Sequence, residues 1–352
     1  MADLLALTAQ LVDIPSVSFD EEALVAFLEV EIRAIDGLTV DRVGDNLVAR
    51  TTLGRPHRLI LAGHTDTVPG QQGSRREGDT LWGLGSTDMK SGLAVMLELA
   101  RTLTEPAVDV TYVFYACEEV ASEHNGLRQL FSEAPELLAG DVAILGEPTD
   151  GIIEAGCQGT MRLEVTLAGV RSHSARPWMG RNAIHRAGPL LDAVAGYQHR
   201  EPVVDGCTYR EALQVVNISG GVAGNVVPDA VTLLINHRYA PDRTGEQAEA
   251  HVHAVLAPFL EDGDQVRLVD HSPAAAPGLN HPLLSTLIDR NDLPVEAKLG
   301  WTDVAFFSGH GVPAVNFGPG DATLAHTADE RVERAPLEAT FAALVDLLTQ
   351  GV

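Results

Sequence analysis

Four short apolar runs with strand character each end at a residue that can bind a metal ion. The runs cover 58–66, 110–119, 141–150 and 312–320, and the candidate ligands at or after their ends are His64, Asp66, Glu118, Glu119, Glu147 and His326. In an open α/β sheet the carboxyl ends of the strands form the crevice in which ligands bind. Residues far apart in the sequence can therefore meet at one site. The pattern favours a layered α/β domain with a metal-dependent hydrolytic site.

Helical and strand patterns alternate over residues 1–158. Apolar residues recur at helical spacing in 3–13, 21–35 and 93–103, and the apolar strands lie between these segments. This alternation is typical of βαβ units and predicts an α/β layer domain.

A different pattern follows between 159 and 272. It contains a strand, a helix, two strands, a helix and a last strand, which is the β-α-β-β-α-β order of a ferredoxin-like unit. A Pro- and Ala-rich segment at 272–282 marks its end. We therefore expect a discontinuous catalytic domain of residues 1–158 and 273–352, with 159–272 inserted as a lid-like domain.

Composition excludes several classes of partner. The net charge of the 352-residue chain is −25, so nucleic acid and anionic membranes would be repelled over most of its surface. No apolar stretch approaches the roughly 20 residues of a transmembrane helix, and residues 1–18 lack the basic start of a signal peptide. Three cysteines without paired spacing suit a reducing, cytoplasmic environment. An anionic substrate would need local arginines in this acidic background.

His64, Asp66 and Asp88 each have two interpretations. Asp66 can accept the imidazole N–H of a metal-bound His64 and hold its orientation, or the pair can belong to a solvated loop. Asp88 precedes an apolar helix, where it can cap backbone N–H groups or bridge two cations. The flanking glycines of 83–92 would let the backbone approach such a site closely.

The adjacent Glu118 and Glu119 are the sharpest local signal. Burying both without a positive partner is unfavourable, so one is expected to bind a cation while the other acts as a base. The alternative is a surface pair. Cys117 is interpreted as a small buried hydrophobe rather than a nucleophile. Nitrogen and oxygen ligands without thiolates suit a pair of zinc, cobalt or manganese ions.

Five motifs, in their order along the chain, resemble one family. They are HTDTVP (64–69), GLGSTDMKSG (83–92), EEV (118–120), GEPT (146–149) and AHT (325–327). This order resembles the M20-type co-catalytic metallopeptidases and deacylases, which include aminoacylases, glutamate carboxypeptidases and acetylornithine deacetylase. The segments 300–307, 311–320 and 325–330 resemble the succinyl-diaminopimelate desuccinylase branch of that family.

The resemblance implies a zinc-exopeptidase-like α/β/α catalytic domain with an inserted ferredoxin-like dimerisation or lid domain. It also implies two divalent ions, Zn²⁺ before Co²⁺ or Mn²⁺. One ion would be bound by His64 and Glu147 and the other by Glu119 and His326, with Asp88 bridging them. Glu118 would then be the general base, and Asp66 would be a further catalytic residue.

The implied substrate contacts lie mostly in the insert. His173 would reach the active site of a partner subunit and stabilise the oxyanion; without its RSHSARP context it would be an exposed loop histidine. The resemblance assigns the other contacts to Asn225, Arg238, Gly300, Thr302 and Arg162. For Arg162 the alternative is an ordinary strand-surface arginine. A homodimer through the inserted domain is also implied.

Three functions remain open at this point. The first is hydrolysis of N-succinyl-LL-2,6-diaminopimelate to succinate and LL-2,6-diaminopimelate, a step of lysine and cell-wall synthesis. The second keeps the metal site but changes the small anionic N-acyl amino acid, as in acetylornithine deacetylase or a carboxypeptidase. The third is a catalytically silent binding protein on the same fold, which the complete ligand set disfavours.

Overall fold

The computed structural model describes residues 3–71 and 73–352, which divide into two compact units. The larger unit contains the chain up to Gly156, Pro277–Glu296 and Phe306–Val352, and the smaller contains Cys157–Ala276 and Ala297–Ala305.

The segment 297–305 departs from the predicted boundaries, which kept all of 273–352 in the larger domain. Its backbone and side chains are hydrogen-bonded within the smaller unit. Gln158 N donates to Lys298 O over 3.2 Å, and Trp301 Nε1 donates to Pro273 O over 3.1 Å. Such isolated tertiary hydrogen bonds cannot be predicted from hydropathy patterns.

The chain up to Gly156 alternates helices and strands. Its helices are α1 (Leu4–Val12), α2 (Glu22–Arg33), α3 (Lys90–Thr102) and α4 (Gly126–Glu133). Its strands are β1 (Thr39–Val43), β2 (Asn46–Arg50), β3 (Arg58–His64), β4 (Arg75–Glu77), β5 (Thr80–Trp82), β6 (Asp109–Tyr115), β7 (Val142–Leu145) and β8 (Ile153–Ala155). Helix α3 packs against β3, α1 and α2 and is buried over nearly its whole length, as expected for an apolar helix inside a layered domain.

The segment from Cys157 to Ala276 contains four long strands and four strands of two residues. These are β9 (Gly159–Ala168), β10 (Ser172–His173), β11 (Val203–Val204), β12 (Cys207–Thr208), β13 (Ala212–Gly220), β14 (Val226–Val227), β15 (Ala230–Tyr239) and β16 (Gln265–Ser272), with helices α5 (Ala183–Ala195) and α6 (Gly245–Leu256). The Thr244 side chain accepts from Gln247 N while the Gln247 side chain accepts from Thr244 N. This capping box explains why α6 begins at Gly245.

The remainder of the chain is mainly helical. It contains α7 (Pro282–Asn291), β17 (Val295–Ala297), α8 (Val304–Gly309), β18 (Ala314–Asn316), β19 (Arg331–Glu333) and α9 (Arg334–Gln350). Across residues 3–71 and 73–352, no helix combines the length and apolarity needed to cross a membrane.

The main sheet of the larger unit has the strand order β1-β2-β6-β3-β7-β18-β8-β17. The neighbours β6, β3, β7 and β18 run parallel, so their carboxyl ends meet at one edge. Strands β6 and β7 are buried throughout and β3 almost throughout, which explains their continuous apolar sequences. The predicted α/β class is confirmed.

The smaller unit has an antiparallel sheet of order β13-β15-β9-β16. Helix α5 packs against β13, β15 and β9, and α6 packs against β16. Alternate residues of β15 are buried, as one core-facing surface requires. Leaving the two-residue strands aside, the chain order β9-α5-β13-β15-α6-β16 is the predicted ferredoxin-like order.

A buried ion pair joins helix α5 to the turn before β16. Arg186 donates to both carboxylate oxygens of Asp264, at 2.8 and 2.7 Å, and the two side chains are 8% and 1% exposed. These hydrogen bonds, with those from the Ala168 and Glu261 amides, lower the pKa of Asp264 to about 2.

Replacing Asp264 by asparagine is expected to lower the free energy of unfolding by about 2 kcal/mol near pH 7, because the hydrogen bonds from Arg186 hold the pKa of this carboxyl at about 2 in the folded state. Because the folded pKa is below the ordinary one, this contribution is present above about pH 4 and is lost as the pH falls toward 2. Urea unfolding at pH 7 and pH 3 measures it, with exposed Asp262→Asn as the control. An equal difference at both pH values would contradict the assignment.

Candidate metal centre

Three of the five predicted ligands and the predicted base follow the carboxyl ends of adjacent parallel strands. His64 is the last residue of β3, the pair Glu118–Glu119 follows β6, and Glu147 follows β7. Asp88 precedes α3, and His326 lies in the loop before β19. All six belong to the larger unit.

Asp88 lies between two histidines. Its Oδ1 is 3.0 Å from His64 Nε2, and its Oδ2 is 3.3 Å from His326 Nε2. His326 Nε2 is also 2.7 Å from Glu119 Oε1. The ligand atoms of His64, Asp88 and Glu119 lie within 4.8 Å of one another. The structure thus brings together four of the five predicted ligands, with Asp88 between the two histidines.

Glu147 is buried beside this group. Burial lowers the pKa of His64, but the hydrogen bonds with Asp66 and Asp88 and the charge of Glu147 raise it well above its usual value. The fifth predicted ligand therefore acts electrostatically on His64, the residue with which it was expected to share an ion.

Asp66 connects His64 to the turn that carries Glu118 and Glu119, called here the glutamate turn. His64 Nδ1 lies 3.0 Å from the backbone carbonyl of Asp66 and 3.5 Å from its carboxylate, so both acceptors face the imidazole and the carbonyl is the nearer. The carboxylate also accepts from Ser18 Oγ at 2.8 Å and from the amides of Glu118 and Glu119 at 2.9 and 3.1 Å. With its Nδ1 on an acceptor, His64 presents Nε2 as the ligand atom.

Glu21 stabilises the same turn through Cys117, the residue before Glu118. Cys117 has a φ of 59°, and both its amide and its thiol donate to Glu21 Oε1, at 3.1 and 3.3 Å. Burial and the neighbouring Glu21 raise the pKa of the Cys117 thiol to about 12. The thiolate is therefore disfavoured, and Cys117 serves the turn rather than acting as a nucleophile.

Glu330 has an equivalent role beside Asp88. Its Oε1 accepts from the amides of Thr87 and Asp88, each at 3.1 Å, and the residue is 2% exposed. Since Glu330 lies four residues after His326, it ties the loop of one ligand to the loop of another. Sequence analysis missed Ser18, Glu21 and Glu330, although Glu330 lies in the segment 325–330 that resembles the family.

Close backbone contact brings the start of α3 to the loop that carries Glu147. A Cβ atom added at Gly92 would lie 2.3 Å from Gly146 O, and one added at Gly318 would lie at the same distance from that oxygen. Neither position tolerates a side chain, and for Gly92 this matches the close approach expected of the glycines of 83–92.

The charges of the site fit divalent cations. Hydrogen bonding to Asp88, opposed by burial, raises the pKa of His326 to about 9, and burial of Asp88 is outweighed by His326 and His64, so its pKa is lowered. Both histidines thus face negatively charged carboxylates, a surrounding that also favours a bound cation. Two imidazoles and several carboxylates without thiolate are donors suited to zinc, cobalt or manganese.

The remaining predicted residues lie in the smaller unit. His173 and Asn225 are neighbours there, because β10 pairs with β14 and Ser174 N donates to Asn225 O over 2.9 Å. His173 is exposed, and its Nδ1 accepts from Ala175 N. Arg162 pairs with Asp270 at 2.7 Å on the sheet surface.

Arg238 lies near Arg162 on this sheet. Burial and the charge of Arg162 lower the pKa of Arg238. Gly300 is exposed, whereas Thr302 is buried, and its carbonyl accepts from Cys157 Sγ at 3.7 Å.

Comparison with known proteins matches residues 60–350 to peptidase family M20/M25/M40. A Mycobacterium tuberculosis protein assigned as succinyl-diaminopimelate desuccinylase DapE is 51% identical over 351 residues, which is 98% of this chain and 97% of that protein. Succinyl-diaminopimelate desuccinylase of Corynebacterium glutamicum is 46% identical over 339 residues, which is 94% and 92% of the two chains.

A similar fold occurs in a solved structure, a tripeptidase from Staphylococcus aureus. The TM-score is 0.80 at 21% identity, with 99% of this chain and 97% of that chain covered. At this identity the likeness concerns the fold.

Proposed function

The chain belongs to peptidase family M20/M25/M40, and we propose that it hydrolyses the amide bond of N-succinyl-LL-2,6-diaminopimelate to succinate and LL-2,6-diaminopimelate. The predicted family and hydrolase class are confirmed. The proposed substrate rests on one observation: over nearly its full length, the chain is 51% and 46% identical to two relatives named succinyl-diaminopimelate desuccinylase. The reaction belongs to diaminopimelate and lysine synthesis, and the free, buried Cys117, Cys157 and Cys207 support a cytoplasmic location.

Two divalent ions are proposed, Zn²⁺ first and Co²⁺ or Mn²⁺ as alternatives. His64 and Glu147 would bind one, Glu119 and His326 the other, and Asp88 would bridge them. When bound, such a pair polarises the amide carbonyl and acidifies the attacking water. The support is the geometry around Asp88, whose two oxygens face different histidines.

Glu118 is proposed as the general base. Its carboxylate takes a proton from the attacking water as the water oxygen bonds to the amide carbon, and delivers that proton to the leaving nitrogen as the C–N bond breaks. Succinate then leaves as a carboxylate and the second product as an amine. The turn that carries Glu118 is held by Asp66 through the Glu118 amide and by Glu21 through Cys117, which fixes the backbone of the base.

The smaller unit is proposed to bind the substrate. Arg238 is the main candidate for a substrate carboxylate, because its charge is partly desolvated and no ion pair of the described residues includes it, whereas Arg162 shares its charge with Asp270. Asn225, Gly300 and Thr302 are proposed as further contacts, and His173 as the donor that stabilises the oxyanion of a partner's site.

A homodimer through the smaller unit is also proposed. Strand β13 is an edge of its sheet, and Val216 and Ile218 on that strand are 55% and 46% exposed. An uncovered edge strand with exposed apolar side chains is a template for pairing with another strand. Mass measurement in solution tests this proposal, and a monomer at micromolar concentration would contradict it.

A substrate panel tests the proposed activity. With added Zn²⁺, the full-length protein is expected to hydrolyse N-succinyl-LL-2,6-diaminopimelate with a kcat/KM at least about 100-fold above that for N-acetylornithine. The same protein after chelation is the control. A higher kcat/KM for the acetyl substrate would assign the chain to another member of the family.

A further inference from the structure

A second group of ligand-type side chains lies at the amino ends of the parallel strands, opposite to the candidate metal centre. One nitrogen each of His57 and His281 and one oxygen of Asp141 lie within 4.8 Å of one another. His57 precedes the first residue of β3, whereas His64 is its last. At about 3.3 Å per residue, roughly 20 Å of strand separates this group from the candidate metal centre. The three residues all belong to the larger unit.

Backbone hydrogen bonds position two of these residues. Strands β3 and β7 pair in parallel, and Asp141 N donates to Arg58 O at 3.0 Å while Arg58 N donates to Asp141 Oδ2 at 2.7 Å. His57 O accepts from Asp109 N at 2.8 Å. The guanidinium of Arg58 is directed elsewhere, toward Thr51, Val110 and Thr111. The acidic oxygen and the first histidine are therefore held by backbone hydrogen bonds just before the first residues of β7 and β3.

His281 is the N-cap residue of α7. Its Nδ1 accepts from Leu283 N over 3.3 Å, and its ring lies edge to face with His57 at a centroid distance of 5.7 Å. A capping bond of that length is weak, so little is lost when the ring turns toward another partner. The helix start thereby adds a third donor from a distant part of the sequence.

We propose that His57, Asp141 and His281 form a structural site for a zinc-class divalent cation. Two imidazoles and one carboxylate are zinc donors, and the partial exposure of all three residues leaves room for water as the fourth ligand. Tetrahedral bonds of about 2.1 Å place ligand atoms about 3.4 Å apart. His57 Nδ1 and Asp141 Oδ2 are 4.0 Å apart, and the three ligand atoms lie within 4.8 Å of one another, so each ligand distance has to shorten by at most about 1.4 Å to reach this spacing.

The cation would join three chain segments. It would fasten the start of α7, which begins the second passage of the chain through the larger unit, to the amino ends of β3 and β7. The site neither uses nor requires the proposed catalytic residues, so its test is independent of the proposed function.

Zinc-binding stoichiometry tests the site. Metal-free full-length protein is titrated with Zn²⁺ against a chromophoric chelator, beside the double variant His57→Gln/His281→Asn. Asparagine at 281 keeps a side-chain oxygen for the N-cap while removing the imidazole. The wild type is expected to bind one more equivalent of Zn²⁺ at micromolar free zinc than the double variant.

The control removes two exposed histidines elsewhere, His185→Gln/His199→Gln, and is expected to match the wild type. Asp141→Asn keeps an oxygen for the Arg58 amide and is expected to weaken zinc binding at this site by at least tenfold. Thermal melts in chelator show that each variant folds. Equal stoichiometry of the wild type and the double variant, or a difference confined to millimolar zinc, would overturn the proposal.

Discussion

Replacing Glu118 by glutamine is expected to lower kcat for N-succinyl-LL-2,6-diaminopimelate by about 10²–10⁴-fold, the usual effect of removing a general base. Glutamine keeps the size of the side chain but does not take up the proton of the attacking water. The Glu118 amide still donates to Asp66 Oδ1, so the turn is preserved. Because Glu118 is not one of the proposed ligands, the metal content is expected to stay unchanged.

The matched control is Glu123→Gln, a glutamate of the same loop whose side chain is 73% exposed. It makes the same change of charge and is expected to keep wild-type kcat. Steady-state kinetics with metal analysis of each preparation separates the two effects. Turnover of Glu118→Gln at the wild-type rate would remove Glu118 from the proposed role, and loss of metal would move it into the ligand set.

The strand-end positions were predictable because the strands that carry them, β6, β3 and β7, run parallel in the main sheet. His64, Glu119 and Glu147 follow apolar runs that could be recognised locally, and parallel pairing brings their ends together without further information. The ferredoxin-like order of the smaller unit was predictable for a similar reason, since each of its long strands and helices has its own periodicity.

The residues that support the site could not be predicted in this way. Glu21 accepts a hydrogen bond from the backbone amide of Cys117, and Glu330 accepts hydrogen bonds from the amides of Thr87 and Asp88. Those amides lie far away in the sequence, and no spacing rule identifies an acceptor for a distant N–H group. In the sequence of this strongly acidic chain, neither glutamate can be distinguished from the other acidic residues. Only the fold shows what each one contacts.

The same reasoning applies to Asp66. Its spacing from His64 predicted an interaction with the imidazole. In the structure the carbonyl lies nearest to His64 Nδ1, at 3.0 Å, and the carboxylate, at 3.5 Å, also accepts from Ser18 Oγ and the Glu119 amide. A two-residue spacing is compatible with either acceptor, and the choice is made by the conformation of the loop after β3.

Replacing Asp88 by asparagine is expected to have the second large effect, on metal binding itself. The two oxygens of Asp88 face His64 and His326 at 3.0 and 3.3 Å. An amide keeps the shape but has one oxygen and no charge, so the bridge between the two proposed ions is lost. We expect the variant to bind at least one equivalent of Zn²⁺ more weakly by over 100-fold and to lose kcat by a similar factor, since even residues behind the ligands contribute about 10–100-fold.

The fold of this variant is expected to persist, because Glu330 holds residue 88 through its backbone amide. The control is Asp329→Asn, an exposed aspartate three residues after His326, which makes the same change of net charge close to the site. Zinc titration against a chelator gives the affinities, and saturation with Zn²⁺ before assay separates weak binding from a chemical defect. Wild-type zinc affinity in Asp88→Asn would show that the two histidines do not share a carboxylate bridge, and the proposed two-ion arrangement would then fail even if the enzyme remained active.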